Sequence, residues 1–217
     1  MEMAQPESLA ELLGGRRAAI DATLPAVGFV TGWLISGHSV WAGAGAAIVV
    51  GLAVCGWRLR RGDRPRAVLI GLLGVCVAAV IALRTGNAAD FFLVQVFSNA
   101  ASALLFAISV VLRRPLLGVI VGAVLGQRTR WRRDPALLRS YSLASWVWVL
   151  QYALRVAVFL PLYLADQVVA LGVARVVLSW PLVAGCLAVS WWVIRRTLPA
   201  GHPGLRHPVT GEVSPAA

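Results

Sequence analysis

The chain has 217 residues, of which 59% are hydrophobic and 13% are charged, and its mean hydropathy is +0.78. Soluble domains carry a much larger charged share, so this composition excludes an ordinary soluble fold and indicates that lipid is the main solvent. The formal net charge of +11 is the balance of twenty Arg residues and nine acidic residues, and the Arg residues lie mostly in short clusters between apolar runs. The positive-inside rule explains that pattern, which argues against nucleic-acid binding.

The length sets the number of membrane spans. A helix that crosses a hydrocarbon core of roughly 30 Å needs about 20 residues, so the chain has room for about six. The predicted fold class is an all-α integral membrane protein, a compact bundle of about six transmembrane helices with one interfacial or re-entrant helix. Residues 1–17 are predicted to be a cytoplasmic lead, 18–196 the membrane domain and 197–217 a disordered cytoplasmic tail.

The first three predicted spans are separated by a tight turn and a basic loop. They run from about Ala18 to Ile35, Ser39 to Trp57 and Ala67 to Leu83. Ser36-Gly37-His38 forms the turn after the first. The loop from Arg58 to Arg66 has five Arg in nine residues, which marks it as cytoplasmic.

Three more spans follow, interrupted by one short apolar run. The fourth is predicted from about Phe91 to Leu112, and the run Leu116 to Gly126 is too short to cross. Asp134-Pro135 offers an N-cap followed by proline at the first helical position, so a fifth helix is predicted from there to about Leu164. Asp166 is a possible cap for the sixth, predicted from about Gln167 to Ile194.

The distribution of arginine predicts the orientation. Seventeen Arg fall in predicted cytoplasmic segments, one outside and two within spans. Both termini are therefore expected on the cytoplasmic side of a plasma membrane.

Two series of small residues predict close helix packing. Gly43, Ala47 and Gly51 form one series at i, i+4 spacing, and Gly118, Gly122 and Gly126 form another. Such spacing lets helix backbones approach closely in lipid, within one chain or across a dimer. Packing within the chain is the simpler interpretation.

Motifs for catalysis are scarce. Ser36-Gly37-His38-Ser39 resembles one motif of the lipid-phosphate phosphatases, but the remaining histidines, His202 and His207, lie in the tail with no Asp at the required offset. The three cysteines fall singly inside apolar runs, as small buried hydrophobes do. We therefore predict neither an enzyme nor a metal or other cofactor.

Several polar side chains lie deep in predicted spans, where facing lipid would cost a few kcal/mol for each Arg. They are expected to face the bundle interior, with Arg155, Arg175 and Asn99 meeting at one depth near the midplane. The Arg residues could instead bond helix carbonyls or extend toward the outer surface. The candidate anion site comprises Arg155, Arg175, Asn99, Gln95, Gln151, Asp90, Asp166 and Arg84.

The chain resembles a family of actinobacterial membrane proteins, domain of unknown function 3159. The resemblance covers nearly everything from Glu7 to Arg196, and its family has no established activity. A coarser similarity, in the Leu-Pro of the first span, the Arg-Pro after the fourth and a Trp-rich fifth, is to the intracellular septation protein A family. The closer resemblance rests on Leu-Leu-Gly14-Gly15-Arg16-Arg17, Leu24-Pro25, Arg84-Thr-Gly-Asn-Ala-Ala-Asp90-Phe-Phe, Arg113-Arg114-Pro115-Leu-Leu-Gly118, Trp131-Arg-Arg-Asp134-Pro135, and Ala153-Leu-Arg155 through Trp180-Pro181-Leu182.

Two functions follow as expectations. The septation resemblance implies a non-enzymatic membrane protein that supports the cell envelope or division through partners in the same membrane. The alternative, which rests on Arg155 and Arg175, is a transporter or channel for a small anion or an anionic lipid. Membrane lipid is a partner in either case, and nucleic acid in neither.

Overall fold

The computed structural model describes residues 15–63, 65–126, 129–199 and 202–203, with side chains from Asp21 onward. Every regular element in these ranges is helical, as the composition predicts. Short 3-10 turns, Ala88–Phe92 and Arg130–Arg133, precede α4 and α6. The helices are α1 (Gly15–Ile35), α2 (Val40–Arg60), α3 (Pro65–Thr85), α4 (Leu93–Val111), α5 (Leu116–Val124), α6 (Pro135–Leu164), α7 (Val168–Val177) and α8 (Trp180–Thr197).

The chain divides into two compact units. The first comprises Met1–Phe97 with Ala157–Leu182, and the second comprises Ser98–Val156 with Val183–Ala217. Residues 1–14 of the predicted N-terminal lead and most of the predicted tail lie outside the described residues, whereas residues 15–17 of the lead already belong to α1.

Five helical segments are long and apolar enough to cross a membrane, by length and composition. They correspond to the second through sixth predicted spans, and they indicate a multi-pass membrane protein. For the first span, the apolar stretch with described side chains is Asp21–Ile35, within the 21-residue α1. Six crossings therefore remain the prediction.

Local signals fix where several helices begin. Asp134 takes the N-cap position of α6, where its Oδ1 accepts hydrogen bonds from the backbone N–H of Ala136 at 3.0 Å and of Leu137 at 3.2 Å. This confirms the predicted start at Asp134-Pro135. Asp166 does not cap the next helix, because it adopts a left-handed φ of 55° and Gln167 occupies the N-cap. The short Asp166 side chain tolerates that turn conformation.

The sixth predicted span is broken. It consists of α7 and α8, which are separated at Leu178 and Ser179. Pro181 has no N–H with which to continue the helix, and its ring would clash with the preceding turn. The Ser179 hydroxyl donates instead to the Val176 carbonyl at 2.6 Å.

Close helix approaches and aromatic rings hold the first unit together. A Cβ added to Gly43 on α2 would lie 3.1 Å from the Phe29 carbonyl oxygen of α1. Phe29 is fully buried, and its ring stacks on Phe91 with centroids 4.1 Å apart and meets Phe92 edge-on. The first glycine series therefore includes a packing contact within the chain, as the simpler interpretation predicts.

The second unit places α5 against the start of α6. Two N-terminal N–H groups of α5 are capped by hydroxyls from other helices: Leu116 donates to Ser109 Oγ at 3.1 Å and Leu117 to Ser145 Oγ at 3.4 Å. A Cβ on Gly118 would lie 2.7 Å from the Trp131 ring, so this glycine also packs within the chain. Gly126, with a φ of 67°, lies just past the end of the helix. With nine residues, α5 extends only about 14 Å, too short to cross.

The predicted topology can be tested by single-cysteine labelling in a cysteine-free variant. We expect an impermeant reagent to label intact cells at positions 37, 86 and 165 and to leave positions 61, 113 and 130 unlabelled. The guanidinium groups of Arg61, Arg195 and Arg196 lie 4.5 to 5.1 Å from the ring centroids of Trp57, Trp191 and Trp192, the arrangement typical of a membrane interface. Labelling at position 61 would contradict the orientation. Opposite results at positions 113 and 130 would contradict a non-crossing α5.

Candidate functional site

Within the second unit, α4 and α6 run antiparallel. Phe106 of α4 stacks on Trp148 of α6 at 5.8 Å, and one turn earlier on α4 Ser102 lies beside the Tyr152 hydroxyl. Residues nearer the start of α4 therefore lie beside residues nearer the end of α6. One further turn in the same direction places Asn99 and Arg155 at the same level.

These residues form a polar cluster in the second unit, which we define as Asn99, Ser102, Gln151, Tyr152 and Arg155. Asn99 is 2% exposed and Gln151 is 3% exposed, while Arg155 is half-buried. Arg155 lies close to Tyr152, one turn before it on α6, and to Cys186 on α8. Asn99 and Arg155 also make further interactions.

Gln151 is the unusual member of the polar cluster. Among the described residues, neither its side-chain oxygen nor its side-chain nitrogen has a hydrogen-bond partner. Buried polar side chains in folded proteins nearly always have at least one partner. Among the described residues, the hydrogen-bonding capacity of the Gln151 amide is therefore unused on both atoms.

The polar cluster lies deep in the membrane if Leu164, the last residue of α6, marks the outer boundary as predicted. Arg155 and Gln151 then lie about 14 and 20 Å along the helix axis from that boundary. This is the middle third of a hydrocarbon core of roughly 30 Å. Asn99 is buried, as expected for a polar side chain within a predicted span, and Gln151 is buried as well.

The predicted site residues Arg175, Gln95, Asp90, Asp166 and Arg84 belong to the first unit. The predicted meeting of Arg175 with Arg155 and Asn99 spans both units and stays a prediction. Gln95 is half-buried, whereas Arg84 and Asp166 are exposed.

Asp90 has a partner that the sequence analysis missed. It is 7% exposed, and its Oδ1 accepts a hydrogen bond from the Tyr163 hydroxyl at 2.7 Å. The two residues are 73 positions apart in the chain, and no local pattern connects them.

Arg175 contacts backbone. Its Nη2 donates to the carbonyl oxygen of Ala22 on α1 at 3.3 Å. Pro25 lies one turn after Asp21 and has no N–H to donate to the Asp21 carbonyl. The backbone hydrogen bonding of α1 is therefore weakened next to Ala22. This contact corresponds to the alternative that an intramembrane Arg bonds a helix carbonyl.

Two further polar pairs in the second unit were not predicted. Trp148 Nε1 donates to Ser190 Oγ at 3.1 Å, and both side chains are buried. His202 Nε2 lies 2.8 Å from Oδ2 of Asp134, with the two side chains 6% and 3% exposed. At His202, therefore, the predicted disordered tail is held against the start of α6.

Comparison with known proteins gives one match. The model of a family described as protein of unknown function (DUF3159) matches residues 13–201. The chain belongs to this family. Neither the curated proteins nor the solved structures give a match. The matched range of this DUF3159 protein includes all of the polar cluster.

Proposed function

We propose that this DUF3159 protein is a non-enzymatic membrane protein that binds a small anion, or the headgroup of an anionic lipid, at the polar cluster. The observation that carries the proposal is Gln151, which is 3% exposed and has no hydrogen-bond partner on either amide atom among the described residues. Burying an amide without partners costs roughly 2–7 kcal/mol, depending on the reference solvent. A bound molecule that satisfies the amide would remove this cost.

Arg155 determines the sign of the charge that the site accepts. Its guanidinium is positive at any physiological pH and lies one helical turn from Gln151. A cation would be repelled there, whereas an anion would be attracted, and strongly so in a low-dielectric environment. The positive charge of Arg155 and the low dielectric constant of its surroundings therefore both support an anionic ligand.

The test is the stability of the purified full chain in nanodiscs of neutral lipid as chloride or inorganic phosphate is added. A ligand that binds only the folded state raises the unfolding temperature by an amount that grows with the ratio of its concentration to its Kd. We expect at least one anion to stabilise the natural protein, and Arg155→Gln to weaken its binding by about thirtyfold or more. Arg139→Gln, on the exposed face of the same helix, is the matched control and should bind normally.

The proposal is overturned if no anion and no anionic lipid stabilises the natural protein, or if Arg155→Gln binds as well as Arg139→Gln. Arg155→Gln should also accumulate in the membrane at the normal level. Its loss from the membrane would indicate a structural role for Arg155.

A second proposal is that the protein lies in an actinobacterial plasma membrane and supports the envelope or cell division through membrane partners. It rests on the similarity to the septation protein A family. On α3, Ile70 and Leu73 are 69% and 61% exposed, and a Cβ added to Gly71 or Gly74 would meet nothing within 4 Å among the described residues. Small residues beside exposed apolar ones suit contact with another membrane helix. Cross-linking and affinity purification from the native membrane should recover envelope or division enzymes if this is correct.

A further inference from the structure

We propose that the arginine-rich end of the second unit binds the headgroups of anionic phospholipids. This surface lies outside the polar cluster, so the inference goes beyond the proposed function and does not depend on it. It rests on exposed arginines, on the packing that brings their segments together, and on the exposed apolar face of α5. We define the arginine surface as the exposed arginines that follow α4, belong to the 3-10 turn before α6 or end α8: Arg113, Arg114, Arg130, Arg132, Arg133, Arg195 and Arg196.

The segments that carry these arginines meet around the first three turns of α6. A backbone N–H in the first turn of α5 donates to Ser145 Oγ at 3.4 Å. Trp131, within the 3-10 turn, packs edge-on against Tyr141 with ring centroids 5.4 Å apart. At the end of α8, Thr197 Oγ1 lies 2.7 Å from Ser140 Oγ. Three separate parts of the chain therefore bring their arginines to one end of the second unit.

The positive charge of the arginine surface faces little negative charge. Among the described residues of the second unit, Asp134 is the one acid, and it is 2% exposed. Its Oδ1 caps α6, and its Oδ2 lies 2.8 Å from His202 Nε2. Seven exposed arginines around one buried carboxylate give this end of the unit a strong positive potential, which attracts anionic lipids.

Indole rings hold two of the arginines. The guanidinium carbon of Arg195 lies 5.1 Å from the ring centroid of Trp191. Arg196 and Trp192 repeat this arrangement at the same distance, and both rings are exposed. Tryptophan at a helix end favours the headgroup level of a membrane, so the guanidinium groups are held at that level. An indole face attracts their charge but offers no oxygen, so their N–H donors keep the capacity to bind phosphate oxygens in a fork geometry.

The exposed face of α5 decides which kind of partner fits. Val119, Ile120 and Val124 are 47%, 36% and 40% exposed, and arginines of the surface precede and follow this helix. A nucleic acid would leave these apolar side chains in water. A phospholipid covers them with its acyl chain while its phosphate meets the arginines. Zwitterionic lipids also carry an ammonium group, which the arginines repel, so a lipid with a net negative charge is favoured.

The experiment is native mass spectrometry of the purified full chain, released from micelles that contain equal amounts of phosphatidylglycerol and phosphatidylcholine. Both lipids carry a phosphate, but only phosphatidylglycerol has a net negative charge. We expect the natural protein to retain phosphatidylglycerol preferentially. Arg195→Gln combined with Arg196→Gln should reduce this preference by about fivefold or more, because each arginine near an anionic surface contributes a factor of about five. Arg132→Gln combined with Arg133→Gln should have a similar effect.

Arg60→Gln combined with Arg61→Gln is the matched control. These two exposed arginines also lie at the end of a helix, α2, and Arg61 also lies over a tryptophan ring, but both belong to the first unit. The carboxylate of Asp63, which binds Arg58 at 2.7 Å, lowers the positive charge of that loop. The control pair should therefore reduce the preference less than either pair in the second unit. The unfolding temperature of each variant in neutral lipid checks that it folds normally.

Equal retention of the two lipids by the natural protein would overturn the inference, and so would equal effects of the three arginine pairs. Displacement of phosphatidylglycerol by an added oligonucleotide would identify a different partner and overturn it as well.

A variant of the polar cluster separates this inference from the proposed function. Arg155→Gln should leave the preference for phosphatidylglycerol intact. If it abolished the preference while the surface pairs had no effect, anionic lipid would bind at the polar cluster, and this inference would fail while the proposed function stood. A preference that depends on the surface pairs alone supports the inference, even if no small anion binds the polar cluster.

Discussion

Replacing Gly32 with alanine is expected to force α1 and α2 apart and to destabilise the protein by about 1–3 kcal/mol, the usual cost of overpacking. A Cβ at this position would lie 2.7 Å from Ala46 Cβ and 2.9 Å from the carbonyl oxygen of Ala42. Neither atom can move aside, because one is backbone and the other is attached directly to it. The tight turn at Gly37 and His38, both with a φ of 72°, also limits how far the two helices can shift. Unfolding of the purified protein by heat or by denaturing detergent would measure the loss.

Gly45→Ala is the matched control. Gly45 lies on α2, beside Ala46 in sequence, but a Cβ there would meet nothing within 4 Å among the described residues. Because alanine loses less backbone entropy than glycine in a helix, this change should be neutral or stabilise by roughly 0.5–1 kcal/mol. Equal effects of Gly32→Ala and Gly45→Ala would show that α1 and α2 do not approach each other this closely.

Gln151→Met is expected to stabilise the ligand-free protein by about 1–3 kcal/mol while weakening its stabilisation by chloride or inorganic phosphate. The change replaces a buried amide, which has no partner on either atom among the described residues, with an apolar side chain of similar size. In the absence of ligand, burial of the natural Gln151 side chain costs the full desolvation free energy of its amide. Burial of methionine at this position does not have that cost. The measurement is the unfolding free energy of both proteins with and without added phosphate.

Ser190→Ala provides the opposite case in the same unit. The Ser190 hydroxyl accepts a hydrogen bond from the buried Trp148 indole N–H, so its removal leaves a buried donor unpaired. That variant should lose about 1–3 kcal/mol. If Gln151→Met also lost stability, the Gln151 amide would be a structural group with partners of its own, and the site would lose its main support.

The sequence predicts the helical segments well because lipid offers no hydrogen-bond partners to the backbone. An apolar run of about 20 residues must then form a helix, and clusters of Arg mark where it ends. The start of α6 at Pro135 is predictable for a local reason, since the Asp134 side chain bonds N–H groups two and three residues later. Burial of Asn99 and Gln151 follows from the cost of polar groups in lipid.

Helix breaks were not predictable in the same way. Pro25 and Pro161 lie inside the continuous helices α1 and α6, whereas at Pro181 the chain breaks and a new helix begins. The same residue type therefore has different outcomes, which depend on whether neighbouring groups satisfy the carbonyls that proline leaves without a donor. The spacing of Gly28 and Gly32 is visible in the sequence, but which helix they would face is not.

The sequence alone thus determined that the described part of the chain is helical and where most of its long apolar helices lie, since both depend on the chain and its solvent. Tertiary structure decided which groups meet. Asp90 with Tyr163 and Asp134 with His202 are 73 and 68 residues apart, and no periodicity links such positions. It also decided that Gln151, unlike Trp148 one turn earlier, has no hydrogen-bond partner among the described residues. Whether a buried polar atom is satisfied depends on the helices packed around it, and that packing is what makes Gln151 the centre of the proposed site.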